Sequence, residues 1–220
     1  MLFTRQQIIS EAPGDGREEP TVPSEYGEAE DAREWPEVDF TVLQEINPDL
    51  VGWIYIEGTE ISYPVMQGED NIYYLDHLFT GEKNKAGCIF LDSRNQADFS
   101  DRNSIVYGHY LKNGTMFTGI SQYKKQEYYD AHSIILFLTP EGNFEIEVFA
   151  GYVAGMEDEA WEIAFLSDSD YRAWLSEVRG RSCFSSSIVP AVTDRVLTLS
   201  TCSYESDNAR FVFLGRFVER

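Results

Sequence analysis

Apolar and polar residues alternate in short runs along most of this chain, with turn-forming residues between the runs. Val51-Gly52-Trp53-Ile54-Tyr55-Ile56 and Ile61-Ser62-Tyr63-Pro64-Val65-Met66 flank Glu57-Gly58-Thr59-Glu60, a pattern that predicts a β-hairpin. Strand signals recur at 88–91, 104–108, 134–138, 144–152, 195–201 and 210–218. Pro140-Glu141-Gly142-Asn143 supplies a second hairpin turn. Helical spacing replaces alternation in three places. Phe40, Leu43 and Ile46 follow Asp39 as a capping residue, with Pro48 closing the turn; 117–129 is a second helical segment; and 168–179 is a third, opening with acidic residues and closing with basic ones as the helix dipole favours. About eight short strands without strand–helix–strand alternation predict a mostly β fold, a closed or nearly closed eight-stranded β-barrel with an N-terminal helix and additional helices.

The start of the chain lacks this pattern. From 11 to 37 it is rich in Glu, Asp, Pro and Gly, with Arg17 and Arg33 its only basic residues, and its few large apolar groups keep no period. Such a segment buries too little to order itself, so residues 1–38 read as an acidic disordered linker or stalk and 39–220 as one folded domain. A chain of 220 residues, 43% hydrophobic and 14% aromatic, can bury one sizeable core. Its 17 basic and 38 acidic residues give a formal charge of -21, which argues against nucleic acid or anionic lipid held through the general field.

No stretch approaches the roughly 20 apolar residues that a bilayer span needs. The opening Met1-Leu2-Phe3-Thr4-Arg5 run is too polar for a signal-peptide core of about 7–15 apolar residues. Either the protein is cytosolic or a membrane anchor lies outside this sequence, and composition does not choose. Cys88, Cys183 and Cys202 are widely spaced with no Cys-x-x-Cys pair, which indicates neither a metal site nor a dense disulfide framework; a single Cys88–Cys183 bridge stays open.

Thr198-Leu199-Ser200-Thr201-Cys202 ends an apolar run, and Arg210 opens the next one beyond the polar turn Ser203-Tyr204-Glu205-Ser206-Asp207-Asn208. If the two strands pair antiparallel, that turn returns Arg210 to a place beside the thiol. A thiol is nucleophilic as thiolate, so a catalytic cysteine needs a base or a positive charge nearby, and acyl transfer needs a donor for the oxyanion. Arg210 offers a fork of donors, and His109, in Tyr107-Gly108-His109 at a strand end, is the candidate base. The bland alternatives are a buried cysteine acting as a small hydrophobe, a solvated arginine and a polar residue at the barrel rim. His77 and His132 read as surface or helix-end residues.

The interval from Cys202 to Arg210 is too long for a tyrosine-phosphatase loop, the His-before-Cys order reverses that of papain-like proteases, and the Gln-Ala-Cys signature of caspases is missing. What survives is a β-barrel enzyme with His first, then Cys, then Arg. In these segments the sequence resembles the sortases, cysteine transpeptidases of Gram-positive cell surfaces, and among them class B. Thr198-Leu199-Ser200-Thr201-Cys202 is similar to the family's Thr-Leu-x-Thr-Cys strand, and Arg210 in Asn208-Ala209-Arg210-Phe211-Val212 matches its arginine. Tyr107-Gly108-His109 with Gly114-Thr115-Met116-Phe117 matches the segment bearing its histidine. The likeness runs from about Phe40 to Val218, and the long insertion ahead of the cysteine strand, with the helix at 168–179, points to class B.

The resemblance implies a sortase-type barrel over 39–220, catalysis by His109, Cys202 and Arg210, and a substrate groove lined by Asn71, Leu75, Tyr107 and Ser200. It implies no metal and no cofactor. The expected activity is cleavage of a C-terminal sorting motif of the Leu-Pro-x-Thr-Gly or Asn-Pro-x-Thr-Asn type through a thioester acyl-enzyme, followed by transfer of the surface protein to a peptidoglycan precursor amine. The expected place is the extracytoplasmic face of a Gram-positive cell membrane, held by an anchor outside this sequence. A pilin-polymerising sortase using a pilin lysine as acceptor and a non-catalytic surface adhesion domain are the rival readings. Trp161, in the loop 155–167, either lines the groove or packs on the barrel.

Overall fold

The computed structural model describes residues 33–155, 158–202 and 209–220, with Cys202 described by its backbone alone. Most of the expected acidic stalk, residues 1–32, and the polar turn 203–208 lie outside the described residues, and 33–39 carry no regular structure. No helix of the described residues is long and apolar enough to cross a membrane.

Eight strands form one closed barrel: β1 (Leu50–Tyr55), β2 (Ser62–Met66), β3 (Ile89–Leu91), β4 (Asn103–Tyr107), β5 (Ile134–Thr139), β6 (Gly142–Ala154), β7 (Val196–Cys202) and β8 (Arg210–Glu219). Around the barrel the order is β1-β2-β3-β4-β7-β8-β6-β5, and β5 pairs back onto β1, so no edge is left open. The two predicted turns make the antiparallel hairpins β1–β2 and β5–β6. Parallel pairing joins β2 to β3 and β4 to β7. The second of these pairs carries the candidate site.

Alternation in the strands sorts side chains into two layers. Leu50, Gly52 and Ile54 of β1 are buried, and the residues between them are half-buried. In β6 the register slips between Val148 and Ala150, and this bulge inverts which residues point inward. Ile146 and Val148 join the barrel interior, whereas beyond the bulge Ala150, Tyr152 and Ala154 join an outer cluster. The interior is filled by large groups such as Phe99, Phe117, Phe137, Phe211 and Phe213, all essentially inaccessible.

Helices cover the outside. α1 (Phe40–Ile46) is capped by the Asp39 carboxylate, which accepts from Val42 N, and rests Phe40 and Leu43 on a cluster of Leu50, Met66, Tyr74, Cys88 and Phe90. The segment expected as one helix over 117–129 divides. Phe117–Lys124 is a 3-10 helix, Lys125 is extended, and α2 (Gln126–Ala131) follows. The buried residues Phe117, Ile120 and Tyr123 recur every third position, which puts them on one face only at the three-residue turn of a 3-10 helix. α3 (Asp168–Gly180) is capped by Ser167 and packs Tyr171, Trp174, Leu175 and Val178 on the outer cluster. Cys88 is buried and Cys183 exposed, and the bridge between them that the spacing left open is not made. His77 stacks on Tyr73 and His132 ends α2, as expected of surface and helix-end residues.

Candidate active site

Strand register decides which residues meet at one end of the barrel. β4 runs parallel to β7 with Tyr107 opposite Ser200, and Gly108 N donates to Ser200 O at 3.1 Å. β7 runs antiparallel to β8, and its last residue, Cys202, stands opposite Arg210. His109 therefore leaves β4 at the level where β7 ends and β8 begins. A cavity of about 390 Å³ opens there, and its wall includes His109, Arg210, Asn71, Leu75, Tyr107 and Ser200. The structure thus collects six of the seven sequence-predicted site residues on one cavity. The seventh, Cys202, is fixed by its backbone at the adjoining strand end.

His109 is held from two sides. Its carbonyl accepts from Phe117 N at 3.0 Å, and its imidazole Nε2 lies 2.6 Å from the Leu75 carbonyl oxygen. A carbonyl only accepts, so Nε2 carries the hydrogen and Nδ1 is the nitrogen left to exchange a proton. The loop after His109 returns through Met116, whose backbone sits at φ 58 and donates to the Tyr63 hydroxyl at 3.0 Å. Gly108 is needed for close approach: a Cβ there would come within 2.4 Å of Phe117 Cδ2 and 2.6 Å of Ile89 Cδ1, both fully buried. Gly108→Ala is expected to lower stability by roughly 1–3 kcal/mol through overpacking. Urea unfolding should show a lower midpoint at unchanged slope.

Leu75 belongs to a short 3-10 turn, Tyr73–Leu75, that the strand and helix patterns do not announce. Just ahead of that turn Asp70 Oδ1 accepts from Ile72 N and Tyr73 N at 2.9 Å each, and these two N–H groups hold its carboxyl below the usual range. Asn71 Oδ1 accepts from Ser93 N at 2.8 Å. Leu75 is 40% exposed and so belongs to the cavity rim, not the core.

Tyr107 and Ser200 face each other across the β4–β7 pair. Tyr107 donates its hydroxyl hydrogen to Asp92 Oδ2 at 2.8 Å, and this buried, anionic neighbourhood pushes the phenol well above its ordinary value. Ser200 is almost fully buried, and its Oγ accepts from Trp161 Nε1 at 3.2 Å. Trp161 also packs against the outer cluster, so it ties the loop 155–167 to β7 instead of standing free in the groove. Phe90, next to Tyr107 on β3, also lines the cavity. Sequence patterning reads Phe90 only as a strand residue, because its exposure depends on a strand partner far along the chain.

Burial pushes the Cys88 thiol up to about 11, which makes it an inert core residue. Among the described residues no group of three or more His, Cys, Asp or Glu side chains could hold a metal ion.

Comparison with known proteins places this barrel. The model of the Sortase domain matches residues 54–218. The chain is similar to Sortase B of Listeria monocytogenes, with 38% identity over 180 residues, covering 81% of this chain and 73% of that one. It is similar to Sortase B of Staphylococcus aureus, with 37% identity over 182 residues, 82% of this chain and 75% of that one. The solved Staphylococcus aureus sortase B-substrate complex superposes with a TM-score of 0.78 at 37% identity, covering 82% of this chain and 84% of that chain. A family match across the barrel, joined to relatives of this identity over four-fifths of the chain, shows that the protein belongs to the sortases, the cysteine transpeptidases of cell-wall anchoring, and within them to class B.

Proposed function

We propose that this sortase cleaves a C-terminal sorting motif of the Leu-Pro-x-Thr-Gly or Asn-Pro-x-Thr-Asn type and joins the upstream surface protein to a peptidoglycan precursor amine. The observation that carries the reading is the single cavity shared by His109 and Arg210 at the level where β7 ends in Cys202. The Cys202 thiolate attacks the carbonyl of the motif's Thr, and Arg210 donates hydrogen bonds to the oxygen as it becomes an oxyanion. As the intermediate collapses, the Thr carbon–nitrogen bond breaks and the departing amine takes a proton from the His109 imidazolium. The product is a thioester to Cys202. An incoming amine then attacks the thioester and gives a proton to the neutral imidazole, an amide forms and the thiolate is released. Water in place of the amine gives slow hydrolysis.

Asn71, Leu75, Tyr107 and Ser200 line the groove for the sorting peptide, which enters the same 390 Å³ cavity. In this reading 39–220 is the catalytic domain and the acidic stretch 1–38 is a solvated stalk between it and an anchor, with the domain on the extracytoplasmic face of a Gram-positive membrane. The chemistry described needs no cofactor. The test is a peptide library of sorting motifs, followed by mass spectrometry of the trapped acyl-enzyme. The expected result is a mass increase on Cys202 equal to the peptide up to its Thr, discharged by diaminopimelate-type or oligoglycine amines. No adduct, or an adduct on another residue, overturns the scheme. Discharge by a pilin lysine alone moves the acceptor to pilus assembly.

A further inference from the structure

Asp92 lies outside the cavity and is fully buried, yet it is bonded to the groove residue Tyr107. Its carboxylate takes a bidentate pair from Arg94, with Nε to Oδ1 at 2.9 Å and the terminal nitrogen to Oδ2 at 2.8 Å. Arg94 N adds a third bond at 3.0 Å. Tyr107 Oη donates to Oδ2 at 2.8 Å. Tyr107 stands two residues before His109 on β4, and Asn71 stands four before Leu75, whose carbonyl holds the imidazole.

We propose that Asp92 is a positioning residue of the substrate groove, a buried carboxylate that locks the Tyr107 hydroxyl in the orientation in which it meets the sorting peptide. The proposal rests on the reading of this cavity as the peptide groove. The chemistry of the lock is specific. A carboxylate only accepts, so it draws the phenolic hydrogen away from the groove and leaves Tyr107 Oη an acceptor towards the peptide. Asn71 Oδ1 is engaged separately, by Ser93 N. Across the cavity Ser200 Oγ already accepts from Trp161, which frees its hydrogen for donation. The groove therefore offers an acceptor on β4 beside a donor on β7, the complement of a peptide amide.

Charge on Asp92 is maintained against its burial. Desolvation alone would raise its carboxyl, but Arg94, Asn71 and Tyr107 outweigh it and hold the value at about 2. Arg94 and Tyr107 are the titratable groups bonded to it. Arg94 has a side chain that is 58% exposed and so can be replaced without opening the core.

The experiment compares Asp92→Asn with the native enzyme in sorting-peptide turnover, read as separate KM and kcat, and in mixed-disulfide formation at Cys202 by a small methanethiosulfonate. An asparagine keeps the shape but presents N–H where Tyr107 must donate. Its KM is expected to rise by about tenfold or more, the scale of a lost charge-assisted hydrogen bond, with the rate of Cys202 modification within about twofold of native. In a Tyr107→Phe background the Asp92→Asn effect on KM should shrink, because the linked group is already gone. Should Asp92→Asn fail to fold, Arg94→Gln supplies the test: its KM relative to native should climb as pH falls from about 8 to about 5, as a carboxyl without its guanidinium takes up a proton. An unchanged KM in Asp92→Asn, an effect fully additive with Tyr107→Phe, or a flat ratio in Arg94→Gln overturns the proposal. If the native enzyme captures no sorting peptide, it is the groove reading that fails.

Discussion

Replacing Cys202 with alanine is expected to abolish thioester capture of a sorting peptide, with no adduct found by mass spectrometry and no turnover above the uncatalysed background. The size of the effect follows from the chemistry. In the proposed scheme Cys202 alone forms the acyl-enzyme, with His109 and Arg210 assigned to proton transfer and oxyanion binding. The remaining cysteines sharpen the test. Cys88 is buried with its thiol raised to about 11, so it stays silent. Cys183 is exposed, on the segment after α3, and should react with general thiol reagents although it does not line the cavity. A native enzyme should therefore show peptide adducts on Cys202 alone, and the alanine variant should still be alkylated at Cys183. A Cys202→Ala enzyme that continues to cleave sorting peptides would rule out the nucleophile.

Much of the barrel is written in local pattern. The strand runs and the two hairpin turns appear where alternation and turn residues put them, because an exposed face and a buried face impose a period of two on each strand. The segment 117–129 is less legible, since the apolar residues of its first part recur every third position and suit 3-10 geometry better than an α-helix. Strand order lies beyond local pattern altogether. Nothing in residues 103–107 or 196–202 says that they pair in parallel, because their partnership is made by packing between segments about ninety positions apart.

The candidate site divides along the same line. His109, Cys202 and Arg210 stand at strand ends next to recognisable motifs, and the strand register brings all three positions to one end of the barrel. Asp92 and Phe90 carry no such mark. Asp92 becomes visible only when β3 and β4 are assembled, since its partners Arg94 and Tyr107 come from separate stretches of chain. The sequence hint is an acidic residue immediately after an apolar strand, two positions before an arginine. Trp161 is similar: only the fold shows that its indole N–H is used by Ser200.

Arg210→Ala is expected to lower turnover by ~2.7–4 kcal/mol, a factor of about 10² to 10³ in rate, as the loss of one oxyanion donor does elsewhere. Its backbone argues for a fixed role. Arg210 is the first residue of β8, paired across the sheet with Cys202, and its half-buried side chain forms part of the cavity wall. In the proposed scheme the guanidinium binds the carbonyl oxygen more strongly as charge develops on it, so the loss should fall on the acylation rate more than on peptide affinity. Arg210→Lys separates charge from geometry, because it keeps the cation and loses the planar fork. If the fork is what binds the oxyanion, the lysine variant should sit close to alanine in kcat, with single-turnover acylation slowed in both. Near-native acylation in the lysine variant would reduce the role to general electrostatics, and near-native acylation in the alanine variant would remove Arg210 from the chemistry.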